Sequence, residues 1–149
     1  MDIKDCMIYE KNMPAHPAVY EEFPEDLQPE LADYLKAHGI EKLYCHQAEM
    51  FAKVNRGKNV VITTSTASGK TLSFLLPILQ EILNNPLTRA IFIYPTKALA
   101  ADQYRAIHPY LEYFGENRIV AGVYDGDTPP SERTRIRQSA NIILTNPEM

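Results

Sequence analysis

Four short runs constrain the fold of this chain more than any other feature: "NVVIT" (59–63), "AIFIY" (90–94), "RIVAGVY" (118–124) and "NIILT" (141–145). Each is largely apolar and β-branched, the composition of strands buried on both faces. Between them lie helical patterns at about 69–84, 97–114 and 129–138. The second pattern is expected to turn Leu99, Ile107, Leu111 and Phe114 to one face. The third is expected to begin with Thr128 as N-cap and Pro129 at the first helical position. Connections this long suit crossovers between parallel strands, so the alternation predicts an α/β fold with a parallel sheet flanked by helices. Ligands bind such sheets beyond the carboxyl ends of the strands. All four runs end there in polar loop residues: Thr64-Ser65, Pro95-Thr96-Lys97, Asp125-Gly126-Asp127-Thr128 and Asn146-Pro147-Glu148.

Upstream, residues 1–25 carry Pro14, Pro17 and Pro24 with little periodicity and read as an extended surface arm. "PELADYLKAH" (29–38) reads as a short helix with Pro29 in its first turn and Gly39 past its end. A second helix is expected over roughly 46–56, closed by Gly57. The organisation expected is an arm and short helix over 1–39, then one domain over 40–149.

A chain of 149 residues, 45% of them apolar, is long enough to bury one sizeable core. No apolar run approaches the length of a membrane span, and the charged start "MDIKDCMIYEKN" has no secretory core. Cys6 and Cys45 lie far apart, which suggests neither a zinc site nor a disulfide framework and favours a reduced, cytoplasmic setting. His16, His38, His46 and His108 show no metal-ligand spacing and read as structural. A net charge of −4 argues against a broadly basic nucleic-acid surface. It leaves open phosphate binding by backbone amides and helix N-termini.

The run at 59–63 leads into "TSTASGKT" (64–71) and then the apolar-faced helical stretch "TLSFLLPILQEIL". Gly-Lys-Thr between a strand and a helix is the arrangement of a phosphate-binding loop. The backbone amides of about 67–71, including Thr66, Ala67 and Ser68 in the surrounding loop, would converge on phosphates at the positive helix end. Lys70 would lie between the β- and γ-phosphates, the Thr71 hydroxyl would ligate Mg²⁺, and Gly69 would let the main chain approach the nucleotide. Thr64 and Ala67 stand where such loops often carry glycine, so the loop should pass through conformations open to all residues.

Taken together, these residues resemble superfamily-two DExH-box helicases, and within them the YprA-like (mitomycin-repair-factor) branch of DNA helicases. "TSTASGKT" is similar to their motif I, "YPTKALAADQ" (94–103) to motif Ia, "YDGDTP" (124–129) to the glycine-containing motif after it, and "TNPEM" (145–149) to motif Ib. "LYCHQAEMF" (43–51) resembles the upstream Q motif. The resemblance implies a RecA-like, P-loop nucleotide-binding domain using ATP and Mg²⁺, with DNA as partner in preference to RNA.

It also implies roles for the matched positions. Gln47 would pair with the adenine edge and Tyr44 would pack near the base, although a core tyrosine fits equally well. Pro95, Thr96 and Lys97 would hold a nucleic-acid phosphate, with an N-cap threonine and a solvated lysine as the equal alternative. Gly126 and Thr128 would bring backbone against the bound strand, while Asp125 and Asp127 read better as turn residues. Thr145 and Asn146 would complete the track. Gln103, amid the apolar positions of its helix, would tie that helix to neighbouring motif loops. Arg133 and Arg137 share one helix face, which reads as solvated, with an auxiliary phosphate contact as the alternative.

In the family an Asp-Glu-x-His segment binds Mg²⁺ and orients the attacking water, and it would follow the last residue here, Met149. The chain therefore reads as the amino-terminal, ATP-binding part of a helicase, able to hold a nucleotide without cleaving it. An unpaired sheet edge is the expected point of self-association. The alternatives are another P-loop NTPase or small-molecule kinase, an RNA helicase, and a non-enzymatic nucleic-acid- or protein-binding domain whose loop has lost its function.

Overall fold

The computed structural model describes residues 17–65, 68–115 and 117–149. Five helices and five strands are assigned among them: β1 (Tyr20–Glu21), α1 (Pro29–Ala37), β2 (Leu43–Tyr44), α2 (Cys45–Asn55), α3 (Lys70–Asn84), β3 (Ala90–Ile93), α4 (Lys97–Phe114), β4 (Ala121–Tyr124), α5 (Pro130–Ser139) and β5 (Ile142–Thr145). β3, β5 and β4 form a parallel sheet with β5 in the middle, Phe92 opposite Leu144 and Leu144 opposite Val123. This is the parallel sheet flanked by helices that the apolar runs predict.

Each crossover helix forms for a local reason. In α3, Leu72, Leu75, Leu76, Leu79 and Ile82 recur at helical spacing and are all buried. Burying a leucine of this kind contributes about 1.5–3 kcal/mol. The helix α3 packs against α2, where Ala48 and Phe51 are buried, and Phe74 meets Phe92 of β3 edge-to-face with centroids 5.3 Å apart. On the sheet, α4 packs on β4 and β5 and α5 packs on β4. A Cβ on Gly122 would come within 2.6 Å of Ile136, so glycine in β4 is what lets α5 approach so closely. Leu27, Leu31, Tyr34 and Leu35 join the same buried cluster as α3, so α1 is part of this core. No helix among the described residues is long and apolar enough to cross a membrane.

Several expectations need correction. The run at 59–63 forms no ladder with either sheet, and Val61 is 90% exposed. Apolar, β-branched composition supplies the propensity for a strand, but a strand also needs a partner for its backbone groups. None of the described segments offers one. Leu99 is 38% exposed, and Ala100 takes its place with Ile107, Leu111 and Phe114 on the buried face of α4. Helix α5 starts one residue later than expected, with Pro129 as N-cap, because Thr128 is engaged in the preceding turn. The strand expected over 118–124 shortens to Ala121–Tyr124.

The expected arm over 1–25 lies partly outside the described residues. Its described part is tied down: Tyr20 and Glu21 pair antiparallel with Tyr44 and Leu43, and the rings of Tyr20 and Tyr44 stack with centroids 5.0 Å apart.

Candidate functional site

The sequence leading into α3 places Gly69 at φ +78°, a left-handed conformation that favours glycine. A Cβ there would meet Gln47 Nε2 at 2.6 Å and Tyr44 Cδ2 at 3.5 Å. Gly69 is therefore fixed both by its own backbone and by the start of α2 packed against it. The first amides of α3 have no partners within the helix, which leaves its N-terminus able to receive an anion.

Gln47 joins these two helix starts. Its Oε1 accepts from the Tyr44 backbone N–H at 2.9 Å, and its Nε2 donates to the Gly69 carbonyl at 3.0 Å. The side chain is 4% exposed, so it acts as a buried strut under the loop. One N–H and one lone pair of the carboxamide remain beyond these two bonds. Beside it, His46 Nε2 donates to the Ser68 carbonyl at 3.0 Å, and its ring stacks on Tyr44 with centroids 5.5 Å apart. This link ties the start of α2 to the loop before α3.

Lys70 is folded back into its own loop. Its ammonium donates to the Thr64 carbonyl at 3.1 Å, Thr64 Oγ1 at 3.2 Å and Ser68 Oγ at 3.3 Å, and also to the Ser65 carbonyl. Thr64 Oγ1 and Ser68 Oγ lie 2.5 Å apart. Thr64 thus stands where a glycine is common and provides two of the oxygens that hold Lys70. The expected contributions of Thr66 and Ala67 fall outside the described residues. In the first turn of the helix, the Thr71 hydroxyl donates to Gln103 Oε1 of α4 at 3.1 Å.

A cleft of about 670 Å³ opens beside this loop, lined by Tyr20, Tyr44, Gln47, Gly69, Thr71 and Tyr110. Its volume suits a small-molecule or cofactor ligand. Burial in its wall pushes the Tyr110 phenol up to about 12. Tyr20 belongs to this wall. Sequence reading missed it because a two-residue strand has no periodicity to detect.

The second cluster lies at the carboxyl ends of β3, β4 and β5. Pro95 and Thr96 are exposed there, and Thr96 Oγ1 caps α4 by accepting from Leu99 N–H at 3.2 Å. Lys97 Nζ pairs with Asp127 Oδ2 at 2.8 Å, and that hydrogen bond raises the lysine pKa above its ordinary value.

The turn after β4 is braced from inside. Asp125 Oδ1 accepts from the Asp127 and Thr128 amides at 2.9 and 3.1 Å. Thr128 Oγ1 accepts from the Asp125 amide at 3.0 Å and lies 3.1 Å from the Val123 carbonyl, to which it donates. Thr128 therefore presents backbone, with its hydroxyl turned inward.

Arg133 corrects its expected solvated role. Its guanidinium donates to the carbonyls of Thr128 at 2.8 Å and of Asp125 and Gly126 at 2.9 Å each. From β5, the Thr145 hydroxyl donates to the Tyr124 carbonyl at 2.6 Å. Asn146 is 3% exposed, and its Oδ1 has no partner among the described residues. Thr145 and Asn146 thus underlie the edge while Pro95, Thr96, Lys97 and Gly126 face outward.

Among the described residues no group of three or more histidine, cysteine, aspartate or glutamate side chains could hold a metal. A metal at this site would be held through phosphate and water, with Thr71 Oγ as its protein oxygen. The geometry fits: that hydroxyl donates its proton to Gln103 and keeps its lone pairs.

Comparison with known proteins bears on these two clusters. The DEAD/DEAH box helicase family model matches residues 44–149. The ATP-dependent helicase YprA of Bacillus subtilis is 40% identical over 126 residues, which cover 85% of this chain and 17% of that protein. The ATP-dependent helicase HRQ1 of Saccharomyces cerevisiae is 40% identical over 148 residues, covering 99% of this chain and 13% of that protein. The crystal structure of the DUF1998 helicase MrfA bound to DNA and AMPPNP superposes with a TM-score of 0.88 at 37% identity, covering 99% of this chain and 21% of that one. The chain thus spans less than a fifth of the length of these two curated relatives. Because the family model matches from Tyr44 to Met149, the chain belongs to the DEAD/DEAH box helicases.

Proposed function

We propose that this chain is the ATP-binding part of an ATP-dependent helicase that moves along or unwinds DNA, with repair of DNA as its setting. The observation that carries the reading is the hydrogen bond from Thr71 to Gln103. It joins the loop that would hold the nucleotide to helix α4, whose N-terminus carries Thr96 and Lys97 at the outer edge. A nucleotide and a nucleic-acid strand would therefore act on one helix, the first through Gln103 in its N-terminal half and the second through Thr96 and Lys97 at its start.

In this reading the base lies in the cleft between Tyr20, Tyr44 and Gln47, and the phosphates lie on the amides of about 67–71. Lys70 leaves the oxygens of Thr64, Ser65 and Ser68 for the β- and γ-phosphates, exchanging neutral acceptors for charged ones. Mg²⁺ would screen the phosphate charge when bound, and the Thr71 hydroxyl orients toward it because Gln103 fixes its proton. Pro95, Thr96, Lys97 and the backbone at Gly126 and Thr128 hold phosphates of the strand, supported from beneath by Thr145 and Asn146. DNA is favoured over RNA because MrfA is described as bound to DNA. The cytoplasm is the compartment this reading favours, and the open edge of β3 is a site for self-association.

The test is titration with a fluorescent ADP analogue and Mg²⁺, alongside DNA-stimulated ATP hydrolysis by the whole protein. Saturable binding that Lys70→Ala weakens at least tenfold, with hydrolysis raised by DNA, is the expected result. Binding indifferent to Lys70 would overturn the nucleotide site, and hydrolysis indifferent to DNA would overturn the helicase reading.

A further inference from the structure

Lys97 opens α4 at the outer edge, yet its ammonium is already held by Asp127 at 2.8 Å. The two side chains are 41% and 80% exposed, so water screens the pair and it contributes little to the fold. It does place a fixed negative charge where a phosphodiester would have to approach the lysine. Asp125 and Glu148 add to the negative field around the same ammonium without contacting it as Asp127 does.

The backbone that carries the carboxylate is held in position by its turn. Asp125 Oδ1 fastens the Asp127 amide at 2.9 Å, and Arg133 fastens the carbonyls on either side of Asp127, those of Gly126 at 2.9 Å and Thr128 at 2.8 Å. A Cβ on Gly126 would lie 3.3 Å from Lys97 Nζ, so the turn backbone itself runs close to the ammonium. Such bracing is more than an incidental surface ion pair requires. It keeps the backbone of Asp127 beside Lys97 while leaving both side chains open to solvent.

We propose that Asp127 is a built-in counter-ion that competes with the nucleic-acid backbone for Lys97, so that a bound phosphodiester displaces the carboxylate. The inference rests on the reading of Lys97 as a phosphate contact. Binding then exchanges one exposed ion pair for another, and Asp127 sets how tightly the outer edge holds a strand. A weak, quickly exchanged contact suits a protein that must release one phosphate before taking the next.

The experiment is a double-mutant cycle on the intact protein, read by fluorescence anisotropy of a labelled single-stranded oligodeoxynucleotide across a salt series without nucleotide. Lys97→Ala is expected to weaken binding and reduce the salt slope by about one. Asp127→Asn, which keeps the side chain's shape, is expected to tighten binding about threefold at low salt. That gain is expected to vanish when Lys97→Ala is added. A gain that survives in the double variant would mean that Asp127 repels the strand directly, overturning competition for the lysine. No gain from Asp127→Asn, with Lys97→Ala still weakening binding, would overturn the inference alone. Affinity and slope unchanged in Lys97→Ala would overturn the underlying phosphate contact, and the inference with it.

Discussion

The hydroxyl of Thr71, in the first turn of α3, donates a 3.1 Å hydrogen bond to Oε1 of Gln103 on α4, thirty-two positions away in sequence. Both side chains are partly buried. A threonine hydroxyl has one proton and two lone pairs, so giving the proton to Gln103 turns the lone pairs toward the loop that would hold phosphate and metal. Gln103 thus acts on the site through Thr71. Gln103→Ala is expected to lower stability by about 1 kcal/mol, the usual contribution of one such bond. It should weaken Mg²⁺-dependent nucleotide binding more than Mg²⁺-free binding. Parallel titrations with and without Mg²⁺ check this, and an equal loss in both would show that Gln103 is only structural.

Gly69 stands at φ +78° with Gln47 Nε2 2.6 Å from where a Cβ would project. Gly69→Ala therefore forces both a left-handed alanine and displacement of the buried strut. A destabilisation of roughly 1–2 kcal/mol is expected from the backbone conformation alone. Nucleotide affinity should fall with it, because Gln47 bonds the carbonyl of this same residue. Denaturant unfolding and nucleotide titration of the variant measure the two effects.

The Arg133 guanidinium makes three hydrogen bonds to the turn at 125–128 and lies over the Tyr124 ring, 5.7 Å from its centroid. Arg133→Ala should loosen the turn and weaken nucleic-acid binding severalfold without changing the salt slope, since no phosphate contact is lost. Arg133→Lys should behave almost the same, because an ammonium cannot reproduce the planar fork. A slope reduced by about one in either variant would show instead that Arg133 touches a phosphate.

These residues also show which parts of the structure were legible in the sequence. Apolar runs and crossover lengths report the parallel sheet because strand burial and connection length are local properties. Gln103 was legible for the same kind of reason: a polar group among the apolar positions of one helix must find a partner, and Thr71 is that partner. Arg133 was not legible, since its turn lies on the other side of Pro129 and Pro130 and only the folded turn brings three carbonyls together. Tyr20 was hidden likewise, because its role depends on stacking across two strands of two residues each. At 59–63 the composition predicts a strand and none forms, because pairing is a property of neighbours and the described residues supply none.

The ion pair between Arg118 and Glu30 is bidentate, at 2.7 and 3.0 Å, and ties the turn before β4 to the first turn of α1. The Arg118 hydrogen bond lowers the Glu30 pKa below its ordinary value of 4.5. A carboxylate depressed on folding contributes stability that is present above the unfolded-state value and is lost as pH falls through the folded-state value. Both groups are largely solvent-exposed, which limits the contribution to about 1 kcal/mol or less. Glu30→Gln should therefore be slightly less stable than the unaltered chain at neutral pH. Unfolding midpoints measured from pH 7 downward should converge below pH 4.5. A difference that persists undiminished in acid would mean the loss is one of packing.

Strand β3 pairs with β5 along one edge, and no described strand pairs with the other. Phe92 is 7% exposed on the covered face, whereas Ile91 and Ile93 are 64% and 65% exposed on the opposite face. An open edge beside two exposed isoleucines is a template for adding another strand. The 149-residue chain should therefore self-associate with rising concentration, seen by sedimentation velocity as a shift to larger species. Ile91→Lys places a charge on the open face without touching the Phe92 side, so the fold should survive while association weakens by an order of magnitude. Association unchanged by the lysine, with the far-ultraviolet spectrum intact, would place the contact elsewhere on the molecule.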